Sequence, residues 1–374
     1  MTQAQQKVFV LGFGSIGVLL ASQLQQNARV SVVPLFRSEK RLQDFGDSER
    51  KVSVKCTYDE GVSIRENVYN GATCPELFPK DGKIDNLIIT TKTYQTKDAL
   101  APYMKYIHPQ TNVMLVQNGL GVLEVLKDEV FVDFRPNLFQ GVISHGVYQT
   151  TGFSFTHAGF GDLKISRLPG ADSDSIVQSN KFIGNDKESN SLLELFTQPD
   201  FTKGLNVVHM TYQEMLLGQL EKYMVNTCMN SVTSILDCIN GELIDVAAPT
   251  FDAIIAESLA VLKAAYKPLF DYKPESEDYP DIDLSRVLDP VKLRDFIIWV
   301  ACDKAGGNSS SMRQDTVNLR ETEVEYLNGY IVKLCKELNL GPEHCKINQT
   351  LVDLVKLRLE LNRYRDKHGD MRLQ

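Results

Sequence analysis

Three glycines at a fixed spacing near the N-terminus constrain the fold of this chain more than any other feature. Lys7-Val8-Phe9-Val10-Leu11 is a short apolar run, and Gly12-Phe13-Gly14-Ser15-Ile16-Gly17 follows it at once. Residues 18–25 then carry a helical pattern, and residues 29–36 read as a second strand. A strand, a glycine turn, a helix and a second strand make the βαβ unit in which glycines let the backbone approach a pyrophosphate. The helix N-terminus offers its free N–H groups to the same anion. A plain glycine-rich turn is the competing reading, and the flanking elements weigh against it.

The end of the second strand selects the cofactor. An acid there binds a ribose 2′-hydroxyl, whereas a base accommodates a 2′-phosphate. Here the strand runs into Phe36-Arg37-Ser38-Glu39-Lys40-Arg41, which favours NADP; a solvated basic loop is the alternative. Two further buried-strand runs, 84–91 and 112–117, end in Lys92 and Asn118. Ligands of open α/β sheets bind beyond the carboxyl ends of strands, so both residues are candidates. A loop lysine and a tight Asn-Gly turn are their bland readings, and local pattern does not choose between these. Residues 137–147 and 151–157 are strand-like, and His145 and His157 beside them are expected to be hydrogen-bonded structural histidines.

With 374 residues, two domains are expected. A polar, Ser/Asp/Asn/Lys-rich stretch at about 166–204, including Gly170-Ala171-Asp172-Ser173-Asp174-Ser175, reads as a flexible insertion before a last strand at 205–208. The expected division is 1–208 for the dinucleotide domain and 209–374 for a second domain. Helical patterns at 211–236, 250–270, 291–301, 317–338 and 349–364 dominate the latter, and the acidic, proline-containing 271–290 reads as an exposed excursion.

The first of those helices carries an unusual row. Lys222, Asn226 and Asn230 lie at i, i+4 and i+8, stacked along one face among apolar neighbours. One ammonium and two amides without an acid in the row are costly to bury unless something polar docks there. A small polyoxygenated ligand suits them. Ser311 could simply begin or cap a helix, and Glu323 could be a surface carboxylate.

Several classes are excluded or disfavoured. A formal net charge of -8 argues against nucleic acid and anionic membrane as main partners. No apolar run is long enough to span a bilayer, and no signal-peptide core precedes the first strand. Seven cysteines without a C-x-x-C pair suit a reducing, cytoplasmic setting and indicate no metal site.

Taken together, the motifs resemble the ketopantoate reductase (2-dehydropantoate 2-reductase) family. The resemblance rests on Gly12-x-Gly14-x-x-Gly17, Thr91-Lys92-Thr93-Tyr94-Gln95, Gln117-Asn118-Gly119-x-Gly121, Lys222-x-x-x-Asn226-x-x-x-Asn230, Ser310-Ser311-Met312-x-x-Asp315, Arg320-x-Thr322-Glu323 and Asn328-Gly329, in that order. Residues about 165–205 and 271–308 match poorly, and Ser231-Val232-Thr233 stands where many members continue with Pro-Leu-Thr.

The resemblance implies an α/β fold: an N-terminal Rossmann-type domain plus an all-helical C-terminal domain, with the active site in the cleft between them. It implies that Gly12, Gly14, Ser15, Ile16, Gly17, Arg37, Lys92, Gln95, Asn118 and Glu323 bind NADP(H). Asn118, Asn226, Asn230 and Ser311 would hold the substrate, with Lys222 and Glu323 catalytic. The implied reaction is NADPH-dependent reduction of 2-dehydropantoate to (R)-pantoate in pantothenate biosynthesis, with Lys222 as general acid. A reductase for a related 2-oxo acid and a catalytically retired NADPH-binding sensor are the alternatives. A small-molecule substrate is the expected partner, with a homodimer among the possible assemblies.

Overall fold

In the computed structural model, residues 5–59, 61–170 and 175–369 are described, with the backbone alone at 122 and 123. Residues 1–4 and the 171–174 part of the polar patch lie outside them. The chain divides into two compact units. One comprises Met1–Asn118, Leu123–Met215 and Glu275–Pro280; the other comprises Gly119–Val122, Leu216–Pro274 and Asp281–Gln374.

The first unit is built on a seven-stranded sheet. Its strands are β1 (Gln6–Leu11), β2 (Val30–Leu35), β5 (Asn86–Ile89), β6 (Asn112–Val116), β7 (Asn137–Ile143), β10 (Leu163–Arg167) and β11 (Val207–His209), in the order β11-β10-β7-β6-β5-β1-β2. β1 pairs in parallel with both β2 and β5, so the strand order reverses direction at β1. β5–β6 and β6–β7 are also parallel, and β10 runs antiparallel to β7. Continuous apolar strands suit a sheet covered on both faces: Val8, Val10, Leu87, Ile88, Ile89, Val113, Met114 and Leu115 are fully buried. Pro34 sits in β2, at the sheet edge, where a missing N–H is tolerated. The helix Ser15–Leu24 returns the chain from β1 to β2 and presses Val18, Leu19, Leu20 and Leu24 into the core.

A second, four-stranded sheet consists of β3 (Lys51–Cys56), β4 (Ser63–Val68), β8 (Gly146–Thr151) and β9 (Ser154–Gly159), in the order β4-β3-β9-β8. The strand-like run 137–147 is therefore broken: β7 stays in the large sheet and β8 belongs to the small one. His145 stands at the break, buried against His157.

The larger part of the stretch read as a flexible insertion, from residue 180 on, is helical. Asn180–Ser189, Ser191–Phe196 and Pro199–Leu205 form three short helices, and Leu192, Leu193, Leu195, Phe196, Phe201 and Leu205 join the core. Its polar average conceals these apolar anchors, and its caps are strong: Ser179 Oγ accepts from Phe182 N, and Asn190 Oδ1 accepts from Leu192 N and Leu193 N. Part of the acidic excursion also belongs to this unit, where Asp278 accepts from Asn180 N and Lys181 N.

The second unit is helical. Its principal helices are Tyr212–Leu236, Ala248–Ala265, Pro290–Ile297 (continued by a π-helical turn, Ile298–Lys304), Ser311–Val317, Asn328–Glu337 and Lys346–His368. The single helix expected over 317–338 is interrupted. Leu319 adopts a left-handed φ of 57°, and the chain crosses residues 320–323 before a short turn, Val324–Tyr326, leads into Asn328–Glu337. Val324 and Leu327 face the core as their spacing requires, yet they do so from this turn.

Candidate active site

The three N-terminal glycines have three different surroundings. Gly12 has φ +98°, and a Cβ there would meet Thr91 N at 2.5 Å and Thr90 C at 2.7 Å. A Cβ on Gly17 would overlap the Gly12 carbonyl oxygen and come within 2.6 Å of Thr90 Oγ1. Gly14 has open space around it, with nothing within 4 Å. Two glycines thus allow the β1 turn to press against the end of β5, and the third leaves the helix mouth bare. Gly14 is also the N-cap of Ser15–Leu24, with no side chain capping it and no acid in the first turn. Backbone N–H groups at a first turn lack intrahelical acceptors, so this mouth fits a pyrophosphate. Ser15 and Ile16 open that turn.

Beside the mouth lie the ends of β5 and β6. Thr90 Oγ1 donates to Gly12 O, binding the β5 end to the glycine turn. Lys92 follows β5, is half-buried, and precedes the turn Thr93–Gln95, whose Gln95 is exposed. Asn118 follows β6, and its carbonyl accepts from Thr93 Oγ1 at 3.0 Å. Gln117 clamps the same two strand ends, its Nε2 donating to Thr91 O and Thr96 Oγ1, both at 2.6 Å. The glycine turn, Lys92 and Asn118 therefore share one end of three adjacent strands, where the strand order reverses. Arg37 and Lys40 are exposed after β2, and Arg37 makes no ion pair among the described residues.

In the helical unit, the helix Tyr212–Leu236 carries the polar row. It starts at Thr211, whose backbone N–H and hydroxyl both donate to Glu214 Oε2. Lys222 and Asn226 are half-buried and Asn230 is buried. Apolar packing by Tyr223, Met224, Cys228 and Met229 fixes the helix on its other sides.

Two segments are tied to this helix beside the row. Tyr223 Oη donates to Leu327 O at 2.6 Å, and Asn328 Nδ2 donates to Thr227 O at 3.4 Å. These anchors stand one position after Lys222 and Asn226, and they hold the end of the segment that bears Glu323, a carboxylate only 7% exposed. Asn328 is braced in turn by Asn348 Oδ1, and Asn348 by Glu257 and Ser258. The second segment is fixed by Ser310, whose Oγ lies 2.7 Å from Thr233 Oγ1 and caps the helix Ser311–Val317 through Arg313 N. Ser311 is the exposed first residue of that helix.

The Gly119–Val122 segment completes this side. Gly119 O accepts from Gln219 Nε2 at 3.3 Å, and Leu120 N donates to Tyr326 O. Gly119 (φ +83°) and Gly121 (φ +90°) admit no side chain: a Cβ on the first would meet Tyr326 O at 2.8 Å, and on the second the Tyr330 ring at 2.7 Å. The residue after Asn118 is thus held by a side chain three positions before Lys222. Sequence reading gave no role to Gln219, Tyr223 and Thr227, and quoted Gln117 only as part of a motif. Gln219 at i−3 from Lys222 was the available signal, since it extends the polar face by one turn.

His145 and His157 are structural. His145 Nε2 lies 3.0 Å from Leu205 O, and its Nδ1 lies 3.1 Å from Gly161 N, the distribution of a neutral ring. Burial, with the neighbouring ring second, pushes the His157 value down to about 4. All seven cysteines are free thiols. An apolar cavity of about 300 Å³ lined by Cys335, Leu340 and Cys345 holds none of the expected site residues. Burial and the Cys345 thiol push Cys335 up to about 11, so it stays protonated at neutral pH.

The chain is similar to known proteins along nearly its whole length. Residues 8–170 match the family described as ketopantoate reductase PanE/ApbA, and residues 214–359 match its C-terminal counterpart. A 2-dehydropantoate 2-reductase of Saccharomyces cerevisiae is 48% identical over 371 residues, covering 98% of this chain and 97% of that protein. A probable 2-dehydropantoate 2-reductase of Schizosaccharomyces pombe is 35% identical, covering 96% and 98%. Among solved structures, D-mandelate dehydrogenase with NADH and anilino(oxo)acetate superposes with a TM-score of 0.71 at 20% identity, covering 96% of this chain and 99% of that one. With the family matched over residues 8–170 and its C-terminal counterpart over 214–359, and with relatives 48% and 35% identical along nearly the whole chain, the chain belongs to the ketopantoate reductase family.

Proposed function

We propose that this chain reduces 2-dehydropantoate to pantoate with NADPH, and that Lys222 is its general acid. The reading is carried by the polar row itself: Lys222, Asn226 and Asn230 bring one ammonium and two amides to one face of a helix whose other sides are packed by Tyr223, Met224, Cys228 and Met229. Family membership brings a nicotinamide dinucleotide, and the bare helix mouth at Gly14 fits its pyrophosphate. When bound, that cofactor supplies a hydride to the keto carbon.

The chain's residues do the rest. Backbone N–H groups of Ser15, Ile16 and Gly17 receive the pyrophosphate. Arg37, exposed and without an acidic partner among the described residues, receives the 2′-phosphate that distinguishes NADPH. Lys92 and Asn118 orient the nicotinamide end. Lys222 Nζ donates a hydrogen bond to the keto oxygen, stabilises the negative charge that grows there and gives up its proton. The Asn226 and Asn230 amides hold the terminal hydroxyl, the Ser311 hydroxyl binds the substrate, and Glu323 acts with Lys222.

The test is NADPH oxidation followed by absorbance with 2-dehydropantoate, a panel of other 2-oxo acids, and NADH as control. The expected result is kcat/KM at least about tenfold higher for 2-dehydropantoate, or about 1.4 kcal/mol of discrimination. Equal turnover across the panel would reassign the substrate, and dinucleotide binding without turnover would leave a binding protein.

A further inference from the structure

The helix Tyr212–Leu236 carries a second row beside its polar one. Glu221, Val225, Met229 and Thr233 lie at i, i+4, i+8 and i+12, and the first three stand one position before Lys222, Asn226 and Asn230. Residues at this spacing share a stripe, so the two rows are neighbours on the helix surface.

One stretch of chain covers three members of the second row. Arg286 Nη1 donates to Glu221 Oε1 at 2.8 Å, its guanidinium held over the Phe296 ring at 4.1 Å. Cys302 Sγ lies 3.6 Å from Met229 Sδ, and Ser310 Oγ lies 2.7 Å from Thr233 Oγ1. Val225 differs from its apolar neighbour in the row: it is half-buried, whereas Met229 is buried. On the other side of the polar row the stripe is closed, with Tyr223, Thr227 and Ser231 all buried. The polar row is thus flanked by one sealed stripe and by one that keeps an apolar side chain at its middle, framed by the contacts of Arg286 and Cys302.

We infer that Val225 is a specificity-determining residue, packing against the substrate carbon between the keto group and the terminal hydroxyl and favouring a carbon that bears methyl groups. The inference rests on the reaction proposed above. In 2-dehydropantoate that carbon carries two methyls. With the keto oxygen at Lys222 and the hydroxyl at Asn226 and Asn230, the substrate lies along the polar row. Val225 stands about 4.5 Å along the axis from Lys222, and helical side chains lean toward the N-terminus. Its methyls therefore meet the substrate between the two polar anchors. An ammonium and two amides bind a methylated and an unmethylated chain alike, so the apolar neighbour supplies the distinction.

The test compares kcat/KM on 2-dehydropantoate and on 4-hydroxy-2-oxobutanoate, which has the same polar groups and neither methyl. The natural protein should prefer the methylated acid by at least about tenfold. Val225→Thr keeps the shape but presents a hydroxyl, and should lower that preference about tenfold by slowing 2-dehydropantoate alone. Val225→Ile takes up the room of one methyl, and should likewise slow 2-dehydropantoate while sparing the smaller acid. Melting temperature and NADPH affinity should stay unchanged in both variants. A natural preference that persists in both overturns the inference and leaves the proposed reaction standing, and equal natural turnover of the two acids overturns the inference as well. Turnover of neither acid by the natural protein overturns the reaction, and the inference with it.

Discussion

Gly14 and Gly17 differ by three positions and respond to the same added methyl in opposite ways. An alanine at Gly17 puts its Cβ onto the Gly12 carbonyl and near Thr90 Oγ1, and both are backbone or locked by the short bond between them. Overpacking of this kind costs about 1–3 kcal/mol, and a unit of this size loses roughly 2–4 °C of melting temperature per kcal/mol. Gly17→Ala should therefore melt several degrees lower. Gly14 has an ordinary extended conformation (φ -96°, ψ -159°) and nothing within 4 Å of a Cβ, so Gly14→Ala should melt like the natural protein. Its methyl fills the space through which a pyrophosphate reaches the helix mouth. Hydrogen bonds to a charged group contribute about 1.5–3 kcal/mol, so displacing even one weakens binding by roughly 10- to 150-fold. Differential scanning fluorimetry gives the first quantity and fluorescence titration with NADPH the second. Natural affinity in Gly14→Ala, or a melting loss matching that of Gly17→Ala, would refute the assignment of the mouth as the pyrophosphate site.

Other outcomes follow from the same residues. Lys222→Ala should lower kcat by about 10²–10⁴ while NADPH affinity stays within a few-fold; natural turnover would remove Lys222 from proton transfer. Arg37→Ala should weaken NADPH binding about tenfold and leave NADH binding unchanged, read by competitive titration of the two. His157 takes up a proton near its ordinary value when unfolded but only near pH 4 when folded. Folding stability should thus be complete above about pH 6.5 and fall by on the order of 2–3 kcal/mol as pH drops toward 4. Urea midpoints compared for the natural protein and His157→Gln should show a shallower pH slope in the variant, and an unchanged slope would place the effect elsewhere.

Much of the platform was legible because its signals are local. The glycine spacing, the apolar runs of β1, β5 and β6, and the i, i+4 row each lie within a few residues, and short-range periodicity captures them. What stayed hidden is set by distant partners. The helices at 180–205 were masked by a polar average, since only alternate faces meet the core. The break at Leu319 is a backbone choice that leaves the apolar spacing of Val324, Leu327 and Ile331 intact, so a continuous helix and a turn read alike. Gln219 and Tyr223 matter through carbonyls at Gly119 and Leu327, about a hundred residues away, and no local pattern marks a side chain whose acceptor is so remote.

The Gly119–Val122 segment also fixes an order of events during synthesis. It leaves the ribosome early, yet its holdfasts are Gln219, Tyr326 and Tyr330. At about 5–20 residues per second, roughly 10–40 s separate the emergence of Gly119 from that of Tyr326. A nascent chain can therefore assemble β1, β2, β5 and β6 while this short piece still awaits its seat. The seat of Gly119–Val122 is complete only when almost the whole polypeptide has been made.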